Sequence, residues 1–246
     1  MLAHAYSFML YGRQKLIADL ERDLASCVQG YTKGSKQALA DGLLAVANPT
    51  TFQAMLTELL ENTDRMAGIA ERSVWHPNGF AKIVLLSQPS YKLRLHMWDK
   101  NLNSSERDLG NVHNHRWDFS AILLAGSYRH QVFHLSADGE QFFGYKYCPS
   151  DDPGSYSLVP TGSHTLSCVF DAHLPQGSTF SLSSEVLHRV IPDASDSTVS
   201  LVLEGPRQPF IGDVFASNEV SETEVAEADS LSLDILRREI KAVLSL

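Results

Sequence analysis

Cysteine is scarce in this chain. Cys27, Cys148 and Cys168 are the three in 246 residues, with no CxxC spacing. An odd, sparse set makes no disulfide framework, so the reducing cytoplasm is the simplest expected compartment. Long apolar runs are missing as well, and no segment has the length of a membrane span. The opening residues Met1–Leu10 are mildly apolar but lack a basic stretch and a cleavage site, so no leader is expected. Positive charge is in deficit, with 20 Lys and Arg against 29 Asp and Glu and a formal net charge of −9. That balance argues against nucleic acid or an anionic membrane as main partners. It leaves room for a small anion, because a local basic pocket can override the global sign. There is no internal repeat and no low-complexity tract.

The residues that are present fall into three stretches. Residues 1–72 read as a helical segment packed on the outside of a strand-rich region. Leu16, Ile17, Leu20, Leu24 and Val28 recur at three- and four-residue spacing, and Gly30 ends the run. Ser35 opens a second helix through Leu39, Leu43, Leu44 and Val46, and Pro49 a third through Phe52, Met55, Leu56 and Leu59. Residues 73–210 change period. Phe80–Leu86 and Tyr91–Trp98 read as a hairpin, and Asp99–Asp108 as a polar loop. Short strands are predicted at 117–124, 127–135, 140–147, 155–159, 164–170, 178–182, 186–191 and 197–204, with turns such as Ala137-Asp-Gly and Ser150-Asp-Asp-Pro-Gly between them. Many short strands at this spacing predict a mainly β sandwich or barrel. Residues 211–246 read as an acidic linker and an amphipathic helix carrying Leu231, Ile235, Leu236, Ile240 and Val243; no strand is expected from Pro206 to about Asp229.

Chemistry concentrates in Gly110-Asn-Val-His-Asn-His-Arg-Trp. Histidines at i and i+2 on a strand share a face, so His113 and His115 can grip one ion. His188, in Ser-Ser-Glu-Val-Leu-His-Arg-Val at the mouth of another strand, supplies a third imidazole. Asp118 and Glu185 lie close to these ligands in sequence and are candidates to fix the ring tautomers. His130 and His134 have no motif that supports ligation, and His76, His164 and His173 sit beside turns and are expected to face solvent. Trp98 and Trp117 are expected to be core residues.

The run His113-x-His115, the strand ending at Gly126, and Gly177 followed by His188 resemble the two-part cupin pattern over residues 79–205. The glutamate usual in that pattern falls near Phe119, and Ser183 and Glu185 replace its Pro and Gly. The resemblance implies a mainly β cupin jelly-roll barrel, with the helical segment before it and a helix after it. Within cupins, the three-histidine set and the stretches 91–98, 186–190 and 199–203 resemble the cysteine dioxygenase and related thiol dioxygenase group. Three departures stand out. Glu204 occupies the place of a tyrosine, Trp117–Ser120 fill the place of a cysteine, and the substrate-binding arginine aligns only with about Lys82. The resemblance implies His113, His115 and His188 as metal ligands and Fe(II) as the metal, with zinc, nickel or manganese as alternatives. It also implies a small-molecule substrate, polar or acidic, with dioxygen as co-substrate, and a possible homodimer.

Neutral imidazoles suit several divalent metals, and three of them leave positions open for substrate. An oxygenase, an isomerase, epimerase or lyase with a redox-inert ion, and a non-catalytic binding barrel all remain open at this level. Arg94 and Glu204 are the catalytic candidates. Arg94 alternates with Leu93 and Leu95, and Glu204 shares a side with Val202 and Ser200. If those sides face the lumen, Arg94 can bind a substrate carboxylate and Glu204 can serve as acid or base. If they face out, both are solvated.

Overall fold

A computed structural model describes residues 16–31, 36–76, 78–100, 110–149, 155–220, 226–227 and 229–246. Ser35 as a helix opener, the loop over 101–108 and the turn at 150–154 lie outside the described residues. The helices are α1 (Leu16–Gln29), α2 (Gln37–Ala47), α3 (Pro49–Glu61), α4 (Thr63–Glu71) and α5 (Leu233–Leu244). In α1 the predicted stripe is the buried one: Ile17, Leu20, Leu24 and Val28. Asn48 caps α3 by accepting from the Thr51 N–H, with Pro49 in the first turn where its missing N–H costs nothing. Asn62 caps α4 through the Arg65 N–H, and Ser232 caps α5 through the Ile235 N–H. Helix α4 was not expected from the sequence, because its nine residues bury only Met66 and Ile69.

The strands are β1 (Val74–His76), β2 (Phe80–Gln88), β3 (Tyr91–Trp98), β4 (Val112–His113), β5 (Phe119–Ala125), β6 (Ser127–Pro149), β7 (Ser155–Pro175), β8 (Thr179–Leu182), β9 (Leu187–Pro192), β10 (Thr198–Glu204), β11 (Gly212–Ala216) and β12 (Ala226–Glu227). One sheet has the order β1-β2-β3-β10-β5-β8 and the other β11-β4-β9-β6-β7-β12. From β3 to β11 the chain switches sheet at every connection except the β6–β7 hairpin. That alternation is a double-stranded β-helix, a jelly roll, so the predicted mainly β barrel with helices before and after it is the observed fold. No helix among the described residues is long and apolar enough to cross a membrane.

Strand parity decides which side chains enter the barrel. Leu93 pairs with Leu203 and Leu95 with Leu201, and all four are fully buried in one cluster with α1, α2, α3 and α5. The helices therefore cover the outer face of the first sheet. The alternate set, with Arg94 opposite Val202, His96 opposite Ser200 and Lys92 opposite Glu204, faces the lumen. Lys82 pairs with His96 and shares that face. At the crossing from β5 to β6, Gly126 has φ +68°, and a Cβ there would lie 2.5 Å from the Ser197 carbonyl oxygen. Only glycine meets both conditions.

Two expectations need correction. The strands predicted at 127–135 and 140–147 are one strand, β6, and those at 155–159 and 164–170 are one strand, β7. The Ala137-Asp-Gly signal makes a bulge instead of a chain reversal, with Leu135 and Glu140 both opposite Leu166. The stretch after Pro206 is not strandless. β11 pairs with Phe143–Tyr147 of β6 and with β4, and it extends barrel pairing to Ala216. Leu201→Ala opens a cavity between helices and sheet; chemical denaturation should show a loss of about 2–5 kcal/mol.

Candidate metal centre

The two halves of the site meet at one backbone register. His113 of β4 lies directly opposite His188 of β9. His115 sits just beyond β4, where its N–H donates to the Ser184 carbonyl at 3.0 Å and ties the two ligand segments together. Asn114, between the paired histidines, is held by β11: the Asp213 N–H donates to Asn114 Oδ1 at 2.7 Å, and the Asn114 N–H donates to the Asp213 carbonyl at 3.2 Å. The result is three rings with centroids 4.7 to 5.0 Å apart. One ring nitrogen from each lies within 4.8 Å of the others.

The protonation of two rings follows from their partners. His113 Nδ1 is 2.8 Å from the Asn111 carbonyl oxygen, and His188 Nδ1 is 3.1 Å from that of Val186. A carbonyl accepts only, so each Nδ1 carries the hydrogen and each Nε2 presents a lone pair. Burial holds all three imidazoles below their ordinary pKa, with charge repulsion from neighbouring groups, His113 first, adding to the effect at His115 and His188. Neutral rings with an oriented lone pair are what a divalent ion requires, and backbone carbonyls supply the outer support that orients them. This donor set fits a metal.

The wall beside the rings is charged and aromatic. Arg94, 9% exposed, donates from Nη2 to Glu204 Oε1 at 2.9 Å and lies 2.7 Å from Oε2; Glu204 is 2% exposed. Burial pushes the Glu204 carboxyl above its usual range and Arg94 opposes that shift. Trp117 stacks on His115 with ring centroids 5.2 Å apart. It also carries the guanidinium groups of Arg94 and Arg207, at 5.0 and 5.7 Å from the ring centre. Burial, then the neighbouring Arg94, lowers the Lys82 ammonium to about 8. Deeper in, Phe80, Trp98, Leu123 and Tyr128 form an apolar plug. Phe119 packs against both His115 and His188 at the position where a ligand glutamate was expected to be absent.

Sequence reasoning placed the three histidines together, and it left the direction of Arg94 and Glu204 open; the structure turns both inward. Asp118 orients no ligand ring. Its carboxylate accepts from the Ser184 N–H at 2.8 Å and from the Tyr31 hydroxyl at 2.7 Å, bracing the third-ligand loop against the end of α1. Glu185 is exposed. His76 does not face solvent: it stacks on Phe80 at 4.4 Å and burial depresses its pKa strongly. His164 packs edge-on against Phe215, while His173 is exposed as expected. His130 is buried 5.7 Å from His188 and stays outside the ligand cluster. Trp98 is core, but Trp117 lines the site. The contributions of Trp117 and Arg207 went unread, because an isolated Trp or Arg in a loop carries no periodic signal.

No protein-family model matches the chain, and no curated protein matches it. Among solved structures it is similar to an RmlC-like cupin from Shewanella frigidimarina, at 13% identity and a TM-score of 0.34 over 56% of this chain and 85% of that one. It is also similar to hydroquinone 1,2-dioxygenase PnpCD in complex with Cd2+ and 4-hydroxybenzonitrile, at 17% identity and a TM-score of 0.32 over 58% and 72%. A third is KdgF from Halomonas sp., at 13% identity and a TM-score of 0.30 over 52% and 81%. The jelly roll itself stands on the strand order and register of this chain.

Lys82 makes a pH prediction. Its folded pKa of about 8 lies below the ordinary 10.5, so the unfolded chain holds the proton more tightly and stability rises with pH between those values. Lys82→Met should be more stable than wild type at pH 7, by up to about 3 kcal/mol. Urea melts should show the gap closing from pH 8 to 10.5.

Proposed function

We propose that this protein is a metal-dependent enzyme, a non-haem Fe(II) dioxygenase acting on a small acidic substrate. The observation that carries the reading is the convergence of three neutral imidazoles, His188 buried and His113 and His115 half-buried, Nε2 lone pairs free on two of them, in a lumen whose wall is cationic. Three neutral ligands leave the ion its full charge and leave positions open. Ferrous iron, when bound, supplies the means of activating dioxygen beside a chelated substrate. The chain's own residues do the rest. Arg94 offers buried N–H groups to an anionic group, and Glu204 fixes its guanidinium in place. Phe119 packs on His115 and His188, with Phe180 behind it, and so shields one side of those ligand rings. The departure at Glu204 sets the pocket apart from the thiol dioxygenase group: the ligand set is like that group's, the substrate is not. The scarcity of cysteine supports a cytoplasmic setting.

One observation favours a second reading, acid–base chemistry by an isomerase, epimerase or lyase on a redox-inert ion. The Glu204 carboxyl is raised by burial, which suits it to hold and return a proton. Elemental analysis of protein purified without oxygen separates the two. Near-stoichiometric iron, absent from a His188→Ala variant whose circular dichroism is unchanged, is the expected result. Oxygen uptake with acidic substrates should accompany it. Zinc, nickel or manganese with turnover in the absence of oxygen would transfer the assignment to the second reading. No metal in wild type after reconstitution would overturn both.

A further inference from the structure

The chain is acidic as a whole, yet its lumen gathers positive charge. Lys82 and Lys92 enter from β2 and β3, Arg94 from β3, and Arg207 from the segment after β10. These four groups act on one another: Arg94, Lys92 and Arg207 all bear on Lys82, and Arg94 and Arg207 both bear on Lys92. The carboxylate acting on Lys82, Lys92 and Arg94 is Glu204 in each case, and Arg94 already engages it. Among the described residues, these four cations face Glu204 as the carboxylate that acts on them, which leaves positive charge in excess. Arg94 is buried and Lys82 and Lys92 are half-buried, so part of that positive charge is held away from water, which is costly unless a ligand offsets it. One donor also awaits a partner: Arg94 Nε is buried and has no hydrogen-bond partner among the described residues, as is true of His96 Nε2 and Glu204 Oε2 beside it. Arg94 and Arg207 adjoin the histidine cluster directly, because the Trp117 ring that stacks on His115 also carries both.

From this juxtaposition we infer that the substrate bears at least two negative charges and no ammonium group: a small dicarboxylate or a phosphate monoester, held by Lys82, Arg94 and Arg207 beside the three histidines. A monocarboxylate leaves most of the surplus unanswered. A zwitterionic amino acid places its ammonium among Lys82, Lys92 and Arg207, where Glu204 is already engaged by Arg94. The inference deepens the proposed function and rests on substrate binding at the three-histidine site.

Calorimetric titration of the full chain with its metal in place, without oxygen, tests it with four probes: succinate, inorganic phosphate, butyrate and cysteine. Succinate or phosphate should bind at least about tenfold more tightly than butyrate, the increment of one added charge-assisted contact. Whichever of the two binds names the source of the charge. Cysteine should bind no more tightly than butyrate. Lys82→Met, and separately the exposed Arg207→Gln, should reduce the preference about tenfold while metal content stays the same. Butyrate or cysteine binding as tightly as both dianions would overturn the inference, as would an unchanged preference in both variants. Metal analysis of the same samples reads the metal centre independently, so a dianion site without metal and a metal site without dianion preference are distinct results.

Discussion

The pairing of His113 with His188 across β4 and β9 is the contact on which the rest of the site depends. It brings together the first and last ligands, which lie far apart in sequence, and leaves His115 to fold over from the end of β4. Burying three imidazoles this closely works only if they are neutral and if their ring N–H groups are satisfied. The carbonyls of Asn111 and Val186 meet that condition for two of the rings. β4 has only two residues and cannot hold its place alone. It is wedged between β9 and β11, and Asn114 is clamped to Asp213 of β11.

A second constraint works from outside the barrel. The helices cover one face of the first sheet with leucines of β3 and β10, and strand parity then leaves Arg94, His96 and Glu204 no direction but inward. An Arg–Glu pair in such a place is a demanding arrangement, since removing either partner strands the other in a medium of low polarity. The Tyr31–Asp118–Ser184 bridge connects the same helical layer to the loop that carries the third ligand. Packing on the outside thus sets the chemistry on the inside.

Much of this was legible in the sequence, for reasons that can be named. The stripe in α1, the hairpin of β2 and β3, and the alternating runs of β5, β9 and β10 are local patterns strong enough to survive any context. The three histidines announced themselves by spacing and by their place at strand mouths. β11 did not, because five residues set among acids and prolines have too little apolar length to register. The continuity of β6 and β7 was hidden because a bulge and a turn use the same residues, here Ala137-Asp-Gly. The inward set on β3 could not be chosen from the strand alone: both alternations hold plausible core residues, and the helices that decide between them lie far away in sequence. The same distance hid the role of Trp117, whose partners Arg94 and Arg207 come from separate segments.

The central claim is that three neutral imidazoles form one metal-binding face. Cobalt(II) substitution and X-ray absorption test it most directly. The account predicts saturable uptake of one ion per chain and a first coordination sphere with three imidazole nitrogens, falling to two in His188→Ala. Uptake without saturation, or a sphere of oxygen donors alone, would contradict it.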